Sequence, residues 1–490
     1  MTSGLHTVHV RVNDAATGLP TPVRIRFVDS DGKYLAPLGR LADPPTGVGE
    51  DVGGNLLLDD DRYAYIDGTC EIQLPADPVT VELLKGLEYK PLRQEIALGP
   101  GKLTLRLAIE RWTDWRADGW YSGDTRAHFL SPHAALLEGA AEDLAVVNLL
   151  AFESRRHDRR TLPGILEFSG QRCVLETPGH LVAVNTLNEH PRLGSLGLLH
   201  SHRPVFPLRF GDPDSFDDWS LADWCDQCHR KGGLVVWTKA LSGGEALADL
   251  ILERVDALEA TSLGSDTWDI VSTYYRLLNA GFHVPLAGAS GKKSNARALG
   301  NVRTYARLRN GEDFSYKTWI EAIRAGRTFV TNGPLLSFSV NGEEPGSRLT
   351  LSDRASLRVS ARAQSAWPFE RLEILANGDV VADVEAAPGA KSAVLDTEVE
   401  FAEGGWLAAR CHASATRIGC AHTSPVYVRI EGRPPRFEKR ALDELRRDLE
   451  QTARWIDRDA RCPSQNDRFR LRGILQDALE LLRKRTEQAV

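Results

Sequence analysis

The chain has 490 residues, more than one hydrophobic core usually organises, and about three domains is the natural expectation. Its 42% hydrophobic and 26% charged residues, with a net charge of −7, describe an ordinary globular protein and argue against a basic nucleic-acid-binding face. No apolar run reaches the ~18 residues of a membrane span, and MTSGLHTVHVRVND at the start lacks a basic-then-apolar leader pattern. The expectation is a cytoplasmic protein with no nucleic-acid or membrane partner. The seven cysteines are odd in number and scattered, which fits reduced thiols rather than a disulfide framework, Cys411 and Cys420 included.

In chain order, residues 1–112 read as β. Val8, Val10 and Val12 alternate, as do Val23, Ile25 and Phe27, then Leu103, Leu105, Leu107 and Ile109. Turn signals such as DSDGK at Asp29–Lys33 separate them, so a small antiparallel sandwich is expected. The acidic triplet Asp59, Asp60 and Asp61 reads as a solvated turn, because no spaced loop of oxygen ligands for calcium follows it.

From residue 113 to residue 333 the pattern changes to short apolar strands alternating with amphipathic helices. LAVVNLLA, HLVAVNTL, GGLVVWTKA, RVDALEA, HVPLAGAS and TFVTNG read as strands. SLADWCDQCHRK, GGEALADLILE and DTWDIVSTYYRLLNAG read as helices. Such alternation predicts parallel strands, here a (β/α) barrel with working residues at the strand C-termini. Residues 334–432 return to period-two alternation, with a hairpin signal at Asn377-Gly378, and predict a second antiparallel sandwich. After Pro434 and Pro435, residues 433–490 carry two stripes at helical spacing. Leu442, Leu445, Leu449 and Ile456 form the first; Phe469, Leu471, Ile474, Leu475, Ala478 and Leu482 form the second. A helical hairpin is expected there.

The chemistry-bearing stretch is GWYSGDTRAH at Gly119–His128, followed by an alanine-rich segment that carries Glu142 and Asp143. Taken with GH before a strand, GGLVVW, VDALE, RTYA and AGRTFVTNGP in that order, it resembles the CehA/McbA-like metallohydrolases of the polymerase-and-histidinol-phosphatase (PHP) superfamily. The resemblance spans about residues 115 to 430 and implies a PHP-type barrel flanked by the two sandwiches and the helical hairpin. It further implies divalent metals at strand ends and a metal-bound water that attacks an ester, carbamate or phosphoester.

Carried over position by position, Asp124 and His128 match the opening motif as catalytic residues. His128, Glu176, His180 and Glu259 match metal ligands. Three positions depart from the pattern. Arg126 replaces a histidine, Lys239 replaces a strand-end histidine, and Ser290-Gly291 stand where an aspartate is usual. A hydrolytic site needs about three protein ligands per metal to bring a bound water near pKa 7. Two of the replacements are cations, which repel a metal ion instead of binding it. The sequence therefore predicts at most one weakly held divalent metal (Zn, Mn or Fe). It also predicts a cationic pocket in which Arg126, Lys239 and Lys292 bind a small anionic molecule. The alternative is an active hydrolase with a single reduced metal site. No haem or nucleotide is expected: Cys225, Cys228 and His229 spell Cys-x-x-Cys-His but sit in a helical pattern, and thiol packing is the simpler reading. His200 and His202 form a further His-x-His pair in a loop.

Overall fold

The computed structural model describes residues 5–99, 101, 103–156, 159–161, 164–212, 215–238, 243–261, 269–413 and 419–488. The fold is mixed α/β, and the chain divides into two compact units. Unit 1 comprises Met1–Leu149, Cys173–Val182 and Ala289–Arg303; unit 2 comprises Leu150–Arg172, Ala183–Gly288 and Thr304–Val490. Unit 1 thus takes in all of 1–112 and parts of 113–333, while 334–432 and 433–490 lie wholly in unit 2.

In unit 1, Thr69–Leu74, His6–Asp14 and Thr104–Ile109 form one sheet, and Asn55–Leu58, Asp61–Ile66, Val23–Val28, Val79–Leu84 and Leu92–Ile96 form another. Most alternating residues of the sequence pattern meet in one core: Val8, Val10, Val12, Val23, Ile25, Phe27, Leu105, Leu107 and Ile109 are buried in it, whereas Leu103, just before the Thr104–Ile109 strand, is exposed. One expectation is corrected. His6–Asp14 pairs antiparallel with Thr69–Leu74 but parallel with Thr104–Ile109, so the first sheet is mixed. Period-two patterning specifies which face is buried, and it is blind to strand direction. Asp59 and Asp60 occupy the two-residue turn of a hairpin in which Leu58 faces Asp61, and Asp61 pairs with Arg26 at 2.7 Å.

The Trp120–Ala127 strand of unit 1 lies parallel to Val146–Ala151, with the Pro132–Ala141 helix between them in sequence. Ser131 caps that helix, accepting from the Ala134 N–H, and Pro132 sits at its first position, where the missing N–H costs nothing. Glu142 is the C-cap, so Glu142 and Asp143 follow the helix instead of riding on it.

In unit 2, all three helices read from the 113–333 pattern are present, at Leu221–Arg230, Gly244–Ile251 and Asp269–Asn279. The expected parallel order is corrected in part. Gly194–Leu199 runs antiparallel to both His180–His190 and Leu234–Thr238, and parallel pairing follows from Leu234–Thr238 through Ala257–Ala260 to Leu286–Gly288. The Gly194–Leu199 strand and the Tyr316–Arg324 helix were not anticipated. The helix carries its own signal, a capping box between Ser315 and Thr318.

Farther along unit 2, Leu335–Val340, Ala355–Gln364 and Ser392–Phe401 form an antiparallel sheet. Asn377 and Gly378, both at positive φ, make the tight turn between Arg371–Ala376 and Asp379–Glu385. The Arg348–Leu351 strand pairs parallel with Val426–Ile430, a departure from the antiparallel expectation. The tail forms two helices, Lys439–Arg458 and Gln465–Gln488, which pack on each other. Leu442, Leu445, Leu449 and Ile456 are buried as the spacing requires, and so are Leu471, Leu475, Ala478 and Leu482, but Phe469 is 68% exposed. No helix among the described residues is long and apolar enough to cross a membrane.

This packing predicts unequal costs along one helix. Leu475→Ala should destabilise the chain by about 2–5 kcal/mol through the cavity it leaves, whereas Phe469→Ala should stay within about 0.5 kcal/mol. Urea denaturation of the two variants checks the contrast.

Candidate functional site

The end of the Trp120–Ala127 strand and the Ala289–Arg303 segment come together within unit 1. Gly291 N–H donates to Arg126 O at 2.9 Å, His128 N–H donates to Lys292 O at 2.8 Å, and Ala127 bridges Lys292 in the parallel sense. The segment is therefore stitched to the strand end as a short extra strand would be.

Asp124 is fully buried at the centre of this junction. Its Oδ1 accepts the N–H groups of Arg126 and Ser290, each at 3.0 Å, and its Oδ2 accepts the Gly300 N–H at 2.8 Å. The Ser290 hydroxyl adds a further bond. Burial pushes the Asp124 carboxyl up, and these donors pull it back toward the anion. Both oxygens are engaged. Asp124, which the resemblance implied to be catalytic, here ties the strand end to the Ala289–Arg303 segment. Gly300 is needed as glycine, since its φ is +63° and a Cβ there would come within 2.7 Å of Leu144.

Lys292 is fully buried and also committed to the fold. Its ammonium donates to Arg297 O at 2.8 Å and lies 3.3 Å from Glu138 Oε2, while Glu138 Oε1 accepts the Gly54 N–H at 2.9 Å. Burial raises the Glu138 carboxyl, and the Lys292 charge opposes that rise. The expected anion-binding role of Lys292 is corrected accordingly: its charge is met from within the chain.

Arg126 is buried, at 6% exposure, with its guanidinium above Gly291, where a Cβ would sit 3.1 Å from Nη2. Arg297, which sequence reasoning missed, is its neighbour. Burial lowers the Arg297 pKa first, and the Arg126 charge lowers it further. Arg297 Nη1 donates to Ser290 O at 2.6 Å. His128 is buried at 5% exposure, and its ring meets Phe129 edge-on at 6.4 Å. Phe129 is held at φ 62°, a conformation that a bulky residue adopts only when its surroundings impose it. Asp124, Arg126, His128, Ser290 and Arg297 are thus gathered at one strand end.

Glu176 and His180 are not part of that gathering. They flank the Pro178-Gly179 turn of a hairpin, where Thr177 faces His180 and Glu176 is exposed. The His180 Nδ1 donates to Leu144 O at 2.7 Å, which places it at the N-terminal end of the Val146–Ala151 strand, opposite the end that carries His128. Its neighbours are Arg116 and Asp143, and Asp143 in turn pairs with Arg111 at 2.9 Å and Arg116 at 3.0 Å. Burial and then the Arg116 charge push the His180 pKa down to about 4. Burial raises Asp143, but the charges of Arg116, Arg111 and Lys85 outweigh it and lower its pKa.

Glu259 belongs to unit 2, buried on the Ala257–Ala260 strand, and Lys239 lies outside the described residues. Among the described residues, no group of three or more histidine, cysteine, aspartate or glutamate side chains is arranged to share one metal ion. The other motif residues have internal partners. His200 and His202 face the carbonyls of Gly232 and Lys231, at 3.3 and 3.1 Å. Cys225 and Cys228 are fully buried thiols whose pKa values burial pushes up, and His229 pairs with Asp256 at 2.8 Å.

Two outcomes follow. Asp124→Asn replaces one acceptor oxygen by a donor facing a backbone N–H, and should cost about 1–3 kcal/mol of stability, measured by denaturant unfolding without added metal. His180 has a folded pKa of about 4 against an ordinary 6.5, so its contribution to stability is complete above pH 6.5 and lost as pH falls toward 4. His180→Asn can keep a donor toward Leu144 O without titrating, so its melting temperature should fall less steeply than that of the wild type over that window.

No family model and no curated protein matches the chain. Among solved structures, a β-glucuronidase crystal structure from Parabacteroides merdae is similar at 10% identity, covering 88% of this chain and 65% of that chain, with a TM-score of 0.19. A score that low carries no argument about fold or function.

Proposed function

We propose that the chain is a PHP-superfamily hydrolase-like protein whose metal centre has been replaced by a cationic site for a small anionic ligand. In this reading residues 113–333 derive from a PHP-type (β/α) barrel flanked by two β-sandwiches and followed by the helical hairpin. The observation that carries it is the pairing of Arg126 with Arg297 beside a carboxylate already occupied by backbone N–H groups. Burial and then the Arg126 charge lower the Arg297 proton affinity, and two guanidinium groups that near favour a shared anion. Asp124 sets the loop that presents them, and its charge offsets part of the repulsion that Arg297 meets.

Arginine suits this task. Its planar fork meets carboxylate or phosphate oxygens two at a time, and it stays cationic even when desolvated. The Ser290 carbonyl holds one side of Arg297 and leaves its other N–H groups to the ligand. His128, buried at the same strand end, would border the bound anion. Hydrolysis finds less support, because Asp124 is saturated and His180 and Glu176 lie elsewhere. The seven cysteines are thiols among the described side chains, in keeping with work in the cytoplasm.

Calorimetry with phosphate and with succinate at about 0.01 M ionic strength, where screening reaches ~30 Å, tests the proposal. The wild type should bind, and Arg126→Ala and Arg297→Ala should each weaken binding at least tenfold. A wild type that binds neither anion, or variants that bind as well as it does, would refute the reading.

A further inference from the structure

Unit 2 contains a cavity of about 470 Å³, a volume typical of small-molecule sites. Four arginines line it, Arg348, Arg429, Arg436 and Arg485, and among the described residues its lining holds no aspartate or glutamate. In a chain of net charge −7 this is a local inversion of charge.

The strands explain how the cations are aimed. Arg348–Leu351 and Val426–Ile430 pair in parallel register, with Arg348 beside Tyr427 and Thr350 beside Arg429. Residues two apart share a face, so Arg348, Tyr427 and Arg429 project from the same side of the sheet while Val428 and Ile430 are buried behind it. Arg485 is held from the tail helix. It donates to Ala280 O at 2.7 Å and stacks 3.9 Å above the Phe282 ring and 5.2 Å from Phe437. Arg436 pairs with Glu403 at 3.5 Å. Among the described residues, Arg348, Arg429 and Arg485 have no carboxylate within ion-pair reach.

The remaining walls are rings. His283 lies against Tyr427 with centroids 4.2 Å apart, and burial together with Arg348 and Arg485 pushes the His283 pKa down to about 4, so the imidazole is neutral at pH 7. Trp406 lies behind them, fully buried, with its indole N–H spent on Asn279 Oδ1 at 2.7 Å and its ring packed on Tyr275. Edge protection is the plainer account of Arg348, since its strand pairs on one side only. That account does not reach Arg485, which ring stacking and a backbone bond hold at the cavity, or the aromatic walls.

We propose that this cavity binds a small organic phosphate bearing a planar ring. Arg348 and Arg429 take the phosphate oxygens, where forked donors from two strands match a tetrahedral anion. His283 and Tyr427 take the ring. The proposal does not depend on the Arg126–Arg297 reading, because the two use different residues.

The test is calorimetry of the full chain with phenyl phosphate and with inorganic phosphate at low ionic strength. The variants are Arg348→Ala, Arg429→Ala and Arg297→Ala. Arg348, Arg429 and Arg297 are exposed, so truncation should leave the fold intact, with far-ultraviolet circular dichroism as the control. Phenyl phosphate should bind the wild type with sub-millimolar affinity. Scored in an Arg297→Ala background, which removes the other anion site, binding should persist and then weaken at least tenfold on adding Arg348→Ala or Arg429→Ala. Inorganic phosphate should bind this site at least tenfold more weakly. No binding by the wild type, or binding that survives loss of Arg348 and Arg429 in that background, overturns the proposal. Loss confined to Arg297→Ala assigns the anion to the other site and overturns it too. Equal affinity for inorganic phosphate overturns the ring as part of the ligand.

Discussion

A single buried carboxylate organises unit 1. Asp124 reaches Arg126 on its own strand and Ser290 and Gly300 on a segment far along the chain, and it does so through backbone N–H groups. The junction demands an acceptor at its centre and a glycine at Gly300, while the Arg126 N–H would serve whatever side chain that position carried. What surrounds the junction inherits its geometry: Lys292 is delivered to Glu138, Arg126 to Gly291, and Arg297 to the neighbourhood of Arg126.

Charge balance follows from that arrangement. Glu138 meets Lys292, Asp143 meets Arg111 and Arg116, and Glu142 lies 3.3 Å from Arg24 while accepting from the Tyr65 hydroxyl at 2.8 Å. Each is a buried pair, which costs more to break than it contributes when intact. The acidic residues of the Gly119–Asp143 stretch are therefore parts of a wired interior. Left unpaired, these carboxylates would destabilise unit 1, and the neighbouring cations prevent that.

Much of the architecture was legible in the chain. Alternation at Val8, Val10 and Val12 and at Val23, Ile25 and Phe27 placed core faces correctly, and Leu442, Leu445 and Leu449 marked a helix by their spacing. Strand direction was not legible, because a side-chain period of two is the same in parallel and antiparallel pairing, as His6–Asp14 shows by making one of each. At the site, Asp124, Arg126 and His128 were found because they are adjacent in sequence. Arg297 was missed since its position depends on a fold-back that no local pattern encodes. His180 was misplaced for the converse reason. Its Gly-His pair was read as preceding a strand, as it does, but that strand beginning lies beside Leu144, away from His128.

The Asp124 junction also sets a schedule. Unit 1 is discontinuous, and its last piece, Ala289–Arg303, leaves the ribosome only after residues 183–288 of unit 2 have been made. At ~5–20 residues per second, the interval between Leu149 and Ala289 is roughly ten to thirty seconds. Throughout it the nascent chain holds a buried-side carboxylate without two of its donors and a glutamate without its lysine. The two N-terminal sheets can collapse early, since their core draws only on residues up to Leu107 and Ile109. The strand that bears Asp124 must wait. It can pair with Val146–Ala151 in that interval, but its carboxylate is enclosed only when Ala289–Arg303 arrives.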